Sequence, residues 1–257
     1  MNDQLFSLEG RTAVVTGGTA GIGRMIATGL IAAGARVIVT GRDAQGAAQA
    51  AAAISADRCC SAAVDLCHEG GPARLAGTVA EQFANRLDIL VNNAGIEGRA
   101  SIDEFSRQAW DTVLDVNLSG TFFVTQALLP ALRAAGTAEQ PSRVINVGSI
   151  GGLHVAAVEN YAYSASKAAV HHLTRTLSRR LAGEHILVNA IAPGIFATRM
   201  IDDMPDAFVA TMRDVQPLKR FGGIDDIAGA AVFLASRAGG YVNGVVLPVD
   251  GGYLASL

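Results

Sequence analysis

Residues 11–23 read RTAVVTGGTAGIG, in which a short apolar run leads into a turn that contains four glycines. A dinucleotide site needs glycines here because the chain must bend sharply, its backbone must approach a pyrophosphate, and the next helix must lie close to the sheet. The pyrophosphate can then lie at the N-terminus of that helix, where free N–H groups and the helix dipole favour an anion. The alternative is a glycine turn that only joins a strand to a helix. The dinucleotide contacts predicted on this turn are Gly17, Thr19, Gly21, Ile22 and Gly23.

Short apolar runs alternate with helical patterns along almost the whole chain. The runs are rich in Val and Ile and lack strict polar–apolar alternation, which is typical of parallel strands that are buried on both faces. Repeated β–α units of this size predict an α/β fold: a Rossmann-like, doubly wound, mainly parallel seven-stranded sheet with helices on both faces. Since no linker divides the sequence, we expect a single dinucleotide-binding and catalytic domain over residues 1–257. The predicted strands are 11–16, 35–40, 60–65, 87–92, 143–148, 186–191 and 244–249.

The composition excludes several classes of protein. Half of the 257 residues are hydrophobic, 17% are charged, and the formal net charge is −3. Because acidic and basic residues are interspersed, no nucleic-acid surface is predicted. No apolar run reaches the roughly 18 residues of a membrane span, and the N-terminus lacks the pattern of a signal peptide. Three cysteines form no secreted disulfide pattern, so we expect a soluble, cytoplasmic protein.

The end of the second predicted strand bears on the choice of nucleotide. In NAD-binding units an acidic residue near this point binds the ribose hydroxyls. Here the strand runs into Gly41 and Arg42, and the first carboxylate is Asp43. The guanidinium of Arg42 matches a 2′-phosphate in charge and in bidentate geometry. We therefore expect NADP(H), and the alternative is that Arg42 is a solvated loop residue.

The segment NYAYSASKAAVHH, residues 160–172, contains two tyrosines and one lysine. Residues four apart on a helix lie on one face, so Tyr163 can contact Lys167 whereas Tyr161 cannot. A nearby ammonium favours the phenolate, and we expect it to lower the pKa of Tyr163 from its ordinary value of about 10. Tyr163 would then be a general acid in ketone reduction and a general base in oxidation. The alternative is a pair without a catalytic role.

Two further polar residues precede this pair. Ser149 follows the predicted strand RVINVG, at the carboxyl edge where open α/β sheets bind ligands. Its hydroxyl could donate to a substrate carbonyl oxygen and stabilise the charge that develops there. Asn117 lies in the helical stretch WDTVLDVNLSGTFFV. Alone, each residue is equally explained by a structural role, a helix cap for Ser149 and a backbone partner for Asn117.

Taken in order, these segments resemble the short-chain dehydrogenase/reductase family in its single-domain form. Two segments, YAYSASKAAVHHLTR (161–175) and VNAIAPGIFATRM (188–200), are most similar to bacterial NADPH-dependent 3-oxoacyl reductases, particularly the type associated with rhamnolipid biosynthesis. The elements that carry the family resemblance are TGGTAGIG (16–23), DL (65–66), NNAG (92–95), Asn117, Ser149, Tyr163-x-x-x-Lys167 and PG (193–194).

The resemblance implies a role for each matching residue. Asn117, Ser149, Tyr163 and Lys167 would form a catalytic tetrad. Lys167 would also bind the nicotinamide ribose, and Asn117 would hold a water that links Lys167 to bulk solvent. Family members are commonly homotetramers, and the same is expected here. The further cofactor contacts that it implies are Asp65 with Leu66 at the adenine, Asn93, Ala94 and Gly95 along the adenosine ribose, and Pro193, Gly194, Ile195 and Thr198 at the nicotinamide.

The segment 195–223 lacks the β–α rhythm, and by resemblance it forms a substrate lid. Flexible thioethers and aromatic rings there suit an aliphatic chain, although the same residues could be the buried face of an ordinary helix. They are Phe196, Met200, Ile201, Met204, Phe208 and Met212. The five histidines show no zinc spacing, so no metal site is predicted.

The predicted function is NADPH-dependent reduction of a ketone, a 3-oxoacyl thioester or ester that yields the 3-hydroxyacyl product. Coenzyme A, a carrier protein and a free ester remain open as the acyl carrier. The alternatives are a polyol or gluconate-type dehydrogenase, a catalytically silent dinucleotide-binding regulator, and a non-reductive glycine-loop enzyme such as a methyltransferase. The last class would have no use for Tyr163 and Lys167.

Overall fold

In a computed structural model, which describes residues 2–155, 158–198 and 206–257, seven parallel strands form one sheet. Their order is β3-β2-β1-β4-β5-β6-β7, which confirms the predicted doubly wound α/β fold. The order reverses between β1 and β4, and such a switch point opens a ligand crevice at the carboxyl ends of the strands. The strands are β1 Thr12–Val15, β2 Arg36–Gly41, β3 Cys59–Ala63, β4 Ile89–Asn92, β5 Ser142–Val147, β6 Ile186–Pro193 and β7 Val246–Val249.

Helices cover both faces of this sheet. Neighbouring strand residues point to opposite faces, so Val15 packs in one apolar cluster with α2 and α9, while Val14 packs in a second cluster with α4 and α6. Both clusters are made mainly of Ala, Val, Ile and Leu, as the composition indicates. The helices of the described residues are α1 Asn2–Phe6, α2 Gly21–Ala32, α3 Ala44–Ile54, α4 Gly71–Phe83, α5 Arg107–Leu114, α6 Gly120–Ala135, α7 Tyr161–Leu181, α8 Asp206–Asp214 and α9 Ile224–Ala235.

Two details differ from the sequence-based expectations. Strand β3 ends at Ala63, so Asp65 lies in the loop beyond it and does not end the strand. The helical stretch around Asn117 is also not continuous, because a π-helical turn, Asp115–Ser119, separates α5 from α6. Such turns often occur at functional sites. None of the helices described is long and apolar enough to cross a membrane.

Candidate active site

The glycine-rich turn lies at the switch point, between β1 and α2. Gly17 and Gly21 have φ angles of 61° and 52°, a region that residues with a Cβ rarely adopt. A Cβ on Gly23 would overlap the side-chain nitrogen of Asn93, so only glycine fits there. Thr19 lies against Gly41 at the end of β2, and Ile22 packs against the core beside α2. Ala20 caps α2 without a side-chain hydrogen bond, so no side chain of the cap occupies the N–H groups at the start of this helix, as a pyrophosphate site requires.

Two residues from neighbouring strands brace this turn. The Nδ2 of Asn93 donates to the carbonyl oxygens of Thr16 at 2.9 Å and Gly17 at 3.2 Å. The hydroxyl of Thr16 accepts from the backbone N–H groups of Asn93 at 2.9 Å and Ala94 at 3.0 Å. The side-chain N–H groups of Asn93 thus form hydrogen bonds with the turn and do not serve as donors to a ribose. Thr16 was missed by the sequence analysis, because its partners are more than 70 residues away in sequence.

The predicted adenosine contacts come together at one edge of the crevice. Arg42 is exposed directly after β2, while the carboxylate of Asp43 caps α3 by accepting from the N–H of Gly46 at 2.6 Å. The carboxylate of Asp43 therefore serves as a helix cap, and Arg42 is the charged side chain at the end of β2 that can contact a nucleotide. The carboxylate of Asp65 accepts from the N–H of Cys67 at 3.0 Å. Burial raises the pKa of the Cys67 thiol, on which the charges of Asp65 and Arg42 act in opposite directions. Leu66 is half-buried beside Asp65.

The predicted nicotinamide contacts follow β6. Pro193 ends that strand, and the N–H of Gly194 donates to the carbonyl of Val249 at 2.9 Å. The carbonyl of Ile195 accepts from Gly222, and the methyl group of Thr198 lies near Gly21. The segment after β6 therefore lies beside the glycine-rich turn, as a dinucleotide-binding site requires.

The apolar residues predicted for the lid give a mixed result. Phe196 is only 5% exposed and belongs to the hydrophobic core, which agrees with the alternative of a buried packing residue. Met212 is half-buried on α8. Met200, Ile201 and Met204 lie outside the described residues, as does the side chain of Phe208. The lid itself stays a prediction.

The structure brings Ser149, Tyr163 and Lys167 together at the carboxyl edge of β5. Ser149 and Tyr163 are neighbours, since a Cβ on Gly151 would lie 3.4 Å from the Oγ of Ser149 and 3.7 Å from the Cε1 of the Tyr163 ring. The Nζ of Lys167 lies 5.6 Å from the centroid of the Tyr163 ring and donates to the carbonyl of Val147 at 2.8 Å. Gly95 faces the same point, since a Cβ there would lie 3.4 Å from this Nζ. Tyr161, in contrast, donates to Glu159 at 2.7 Å and packs against Phe105, away from the cluster.

The expected effect of Lys167 on the phenol of Tyr163 is wrong. Burial raises the pKa of Tyr163, and the hydrogen bond with Ser149 only partly opposes this. Lys167 is not among the groups that shift this pKa, and its ammonium donates to the carbonyl of Val147. Its own pKa falls to about 8, since burial disfavours the charged form. In this arrangement Tyr163 holds its proton at neutral pH.

Asn117 is buried in the π-helical turn, next to α7. Its Nδ2 donates to the carbonyl of Ile96 and to the hydroxyl of Ser166, both at 3.0 Å. Its Oδ1 accepts from the N–H of Ile96 at 2.8 Å. The side chain thus ties the loop after β4 to α7 behind Lys167. The water that it was expected to hold stays a prediction.

His171 is a residue of this site that the sequence analysis missed. It lies four residues after Lys167 on the buried face of α7, and its Nε2 accepts from the N–H of Ser149 at 3.4 Å. A Cβ on Gly148 would overlap the imidazole, so glycine there makes room for it. Burial, with Lys167 nearby, lowers the pKa of His171 to about 4. The signal in the sequence is its spacing of four residues from Lys167, on the same helix face.

The fold and this cluster define a class of protein. A glycine-rich turn at the switch point of a parallel sheet suits a dinucleotide, and a serine, a tyrosine and a lysine meet at the same edge of the sheet. Hydrogen-bond donors gathered beside such a turn suit hydride transfer to or from a carbonyl carbon. The class is therefore a nicotinamide-dependent oxidoreductase.

Comparisons with known proteins give the family. A family model described as enoyl-(acyl carrier protein) reductase matches residues 17–254. The chain is 46% identical to the rhamnolipids biosynthesis 3-oxoacyl-[acyl-carrier-protein] reductase of Pseudomonas aeruginosa, over 96% of this chain and 98% of that one. It is 36% identical to the gluconate 5-dehydrogenase of Gluconobacter oxydans, over 98% of each chain. The protein belongs to the short-chain dehydrogenase/reductase family.

Solved structures agree with this assignment. The RhlG/NADP active-site complex of Pseudomonas aeruginosa matches with a TM-score of 0.93 and 45% identity, over 99% of each chain. A gluconate 5-dehydrogenase from Burkholderia cenocepacia, in complex with NADP and tartrate, matches with a TM-score of 0.91 and 34% identity, over 100% of each chain.

Proposed function

We propose that this protein is an NADPH-dependent reductase that converts a 3-oxoacyl thioester or ester to the 3-hydroxyacyl product. The observation that carries the proposal is the cluster of Ser149, Tyr163 and Lys167 beside the glycine-rich turn. The relative with 46% identity supports the choice of substrate, because its name specifies a 3-oxoacyl group.

The cofactor site fits NADP(H). Gly17, Gly21 and Gly23 carry no side chain, so a pyrophosphate can approach the backbone of the turn, and Arg42 offers a guanidinium to a 2′-phosphate. Asp43 does not compete for a ribose, since its carboxylate caps α3. Asp65, Leu66, Ala94, Gly95, Pro193, Gly194, Ile195 and Thr198 are the further proposed contacts. When bound, the cofactor supplies the hydride.

Each of the three clustered side chains has its own role in the reduction. Ser149 donates a hydrogen bond to the substrate carbonyl oxygen, which stabilises the negative charge that develops there. Tyr163 keeps its proton at neutral pH, because burial raises its pKa, and it delivers that proton to the same oxygen. Lys167, whose Nζ lies 5.6 Å from the centroid of the Tyr163 ring, binds the cofactor ribose.

Apolar surface near the site favours an acyl chain over a sugar acid. A cavity of about 840 Å³ lies between α5 and the start of α7, beside the cluster and not on it, since Ser164 lines it and Ser149, Tyr163 and Lys167 do not. Its apolar lining includes Ile102, Trp110 and Val158. Val155, in the loop that follows Ser149, is 96% exposed and lines the same cavity. Such walls bind aliphatic chains well, whereas a polyol needs convergent polar groups. A gluconate-type dehydrogenase is the second candidate, since a relative with that name is 36% identical.

We also propose that the protein is a homotetramer. Phe122 and Phe123 on α6 are partly exposed and form an edge-to-face pair at 5.3 Å, which suits a contact between subunits. Light scattering after gel filtration tests this, and a monomer would contradict it. A cytoplasmic location stays a prediction.

The catalytic proposal is tested with two matched tyrosine variants. Tyr163→Phe removes the proton donor, so we expect turnover of acetoacetyl-CoA to fall about a thousandfold. NADPH affinity, followed by fluorescence, is expected to stay within about threefold, because the phenol is not needed for binding. Tyr161→Phe, two residues away on the same helix, is expected to leave turnover unchanged. Equal losses in both variants, or loss of NADPH binding with Tyr163→Phe, would contradict the assignment.

A further inference from the structure

A second polar cavity lies at the amino end of the sheet, opposite the catalytic edge. It has a volume of about 360 Å³ and is formed by α1, the loop before β5 and the turn after α9. Strand β5 links the two edges, since Arg143 lies near its start and Ser149 follows its end. Six residues of extended chain separate them by about 20 Å. Polar and charged residues that line the cavity include Gln4, Ser7, Arg11, Glu139, Arg143 and Arg237.

Arg143 is a buried charged residue without an ion-pair partner among the residues described. The residue is 3% exposed, and its guanidinium donates to the carbonyls of Pro141 at 2.6 Å and Ser236 at 3.2 Å. Its Nε–H has no hydrogen-bond partner. No carboxylate among the described residues forms an ion pair with it. Buried charges are normally paired with an opposite charge, because two neutral carbonyls only partly replace the lost hydration.

The neighbouring charges increase the positive potential of the cavity. Arg11 lies beside Arg143, and its charge acts together with burial to lower the pKa of Arg143 to about 10, so Arg143 stays charged at neutral pH. Arg11 itself is paired with Asp88 at 3.1 Å. Arg237 is exposed at the rim and makes no ion pair with the residues described.

The acidic residues at the cavity do not balance this charge. Glu9 is already paired with Arg58 at 3.2 Å. Glu139 is exposed and makes no ion pair within the described part of the chain. Asp88 and Glu139 together balance two of the three positive charges of Arg11, Arg143 and Arg237. The cavity therefore still keeps a positive charge.

We propose that this cavity binds a phosphate group, either as inorganic phosphate or on a small phosphate monoester, with Arg143 and Arg237 as its cationic ligands. Guanidinium groups match phosphate oxygens in charge and in bidentate geometry. A phosphate carries about 1.5 to 2 negative charges at neutral pH, which offsets the positive charge that the cavity keeps. The side chains of Gln4 and Ser7 add neutral donors at the wall. The site is separate from the reductase site and does not depend on the function proposed for it.

Calorimetric titration of inorganic phosphate into the full-length protein tests the proposal. The protein is first saturated with NADP⁺, because the cofactor crevice also attracts phosphate, and chloride is adjusted to keep the ionic strength constant. We expect one site per chain. Arg143→Met is expected to abolish binding, and Arg237→Ser to weaken it about tenfold through loss of one charge-assisted contact. Arg179→Ser, a change of an exposed arginine on α7, is the matched control and is expected to bind as the parent does.

A third variant and a second ligand sharpen the test. Glu139→Gln removes a competing negative charge and is expected to tighten phosphate binding, so the test does not depend on whether Arg143→Met folds. Glycerol 3-phosphate distinguishes the sources: affinity equal to or above that of inorganic phosphate assigns a monoester site, and weaker affinity assigns a site for the free ion. The proposal is overturned if neither ligand binds, or if Arg237→Ser and Glu139→Gln bind phosphate as tightly as the parent.

Discussion

Replacement of Lys167 by methionine is expected to make the protein more stable at neutral pH while abolishing its activity. The ammonium of Lys167 is buried, and its one hydrogen bond to the protein goes to the carbonyl of Val147 at 2.8 Å. Burial lowers its pKa from 10.5 to about 8. A methionine has a similar length and no charge, so it removes the cost of burying the ammonium.

The size of the effect follows from these values. A pKa that is lower in the folded than in the unfolded state by this much corresponds to about 3 kcal/mol of lost stability when the lysine is charged. Removing the charge regains this stability, but loss of the hydrogen bond to Val147 costs about 1 to 2 kcal/mol, because the buried carbonyl loses its donor. The net gain at pH 7 is therefore about 1 to 2 kcal/mol, which raises the melting temperature by about 4 °C for a chain of this length.

The dependence on pH identifies the cause. Between pH 8 and 10.5 the folded state binds fewer protons than the unfolded state at this lysine, so the parent gains stability as pH rises. The variant lacks this gain. Urea unfolding is thus expected to show Lys167→Met as the more stable protein at pH 7 and the less stable one at pH 10. Lys219→Met, a change of the other lysine, which is exposed, serves as the control. A variant that is less stable than the parent at both pH values would refute the reasoning.

Three further predictions concern the site. Arg42→Asp is expected to reverse the preference for NADPH over NADH in kcat/KM, because the guanidinium is replaced by a carboxylate that suits ribose hydroxyls; an unchanged preference would remove Arg42 from the cofactor site. Gly23→Ala is expected to weaken NADPH binding about tenfold in a fluorescence titration, since its Cβ has no room, whereas Gly229→Ala, with open space around it, is expected to be neutral. His171→Leu is expected to lower kcat about tenfold, because His171 holds the backbone of Ser149 in place. In a Ser149→Ala background the same change is expected to lower kcat less than twofold. Equal losses in both backgrounds would indicate a purely structural role.

Local patterns in the sequence were enough to predict the sheet and the glycine-rich turn. The strands are short runs of Val and Ile, and consecutive apolar residues indicate a strand that is buried on both faces. The positive φ angles of Gly17 and Gly21 are a local property of the turn. The spacing of Tyr163 and Lys167 likewise follows from helix geometry alone.

The surroundings of those residues could not be predicted, because they depend on contacts that are distant in sequence. Lys167 was expected to lower the pKa of Tyr163, yet burial dominates and raises it. Phe196 sits in a segment without a regular pattern, and its burial is visible only once β6 and Gly222 are placed together. His171 becomes part of the site only where the loop after β5 crosses α7.

The measurement that tests the central claim most directly compares two substrates with one cofactor. The kcat/KM for NADPH oxidation is measured with 3-oxoacyl-CoA thioesters of increasing chain length and with 5-keto-gluconate, using the parent protein. The account predicts turnover of the thioesters that improves with chain length and exceeds that of the keto sugar acid by about a hundredfold or more. A higher kcat/KM for 5-keto-gluconate would contradict the 3-oxoacyl assignment and would favour a gluconate-type dehydrogenase on the same fold.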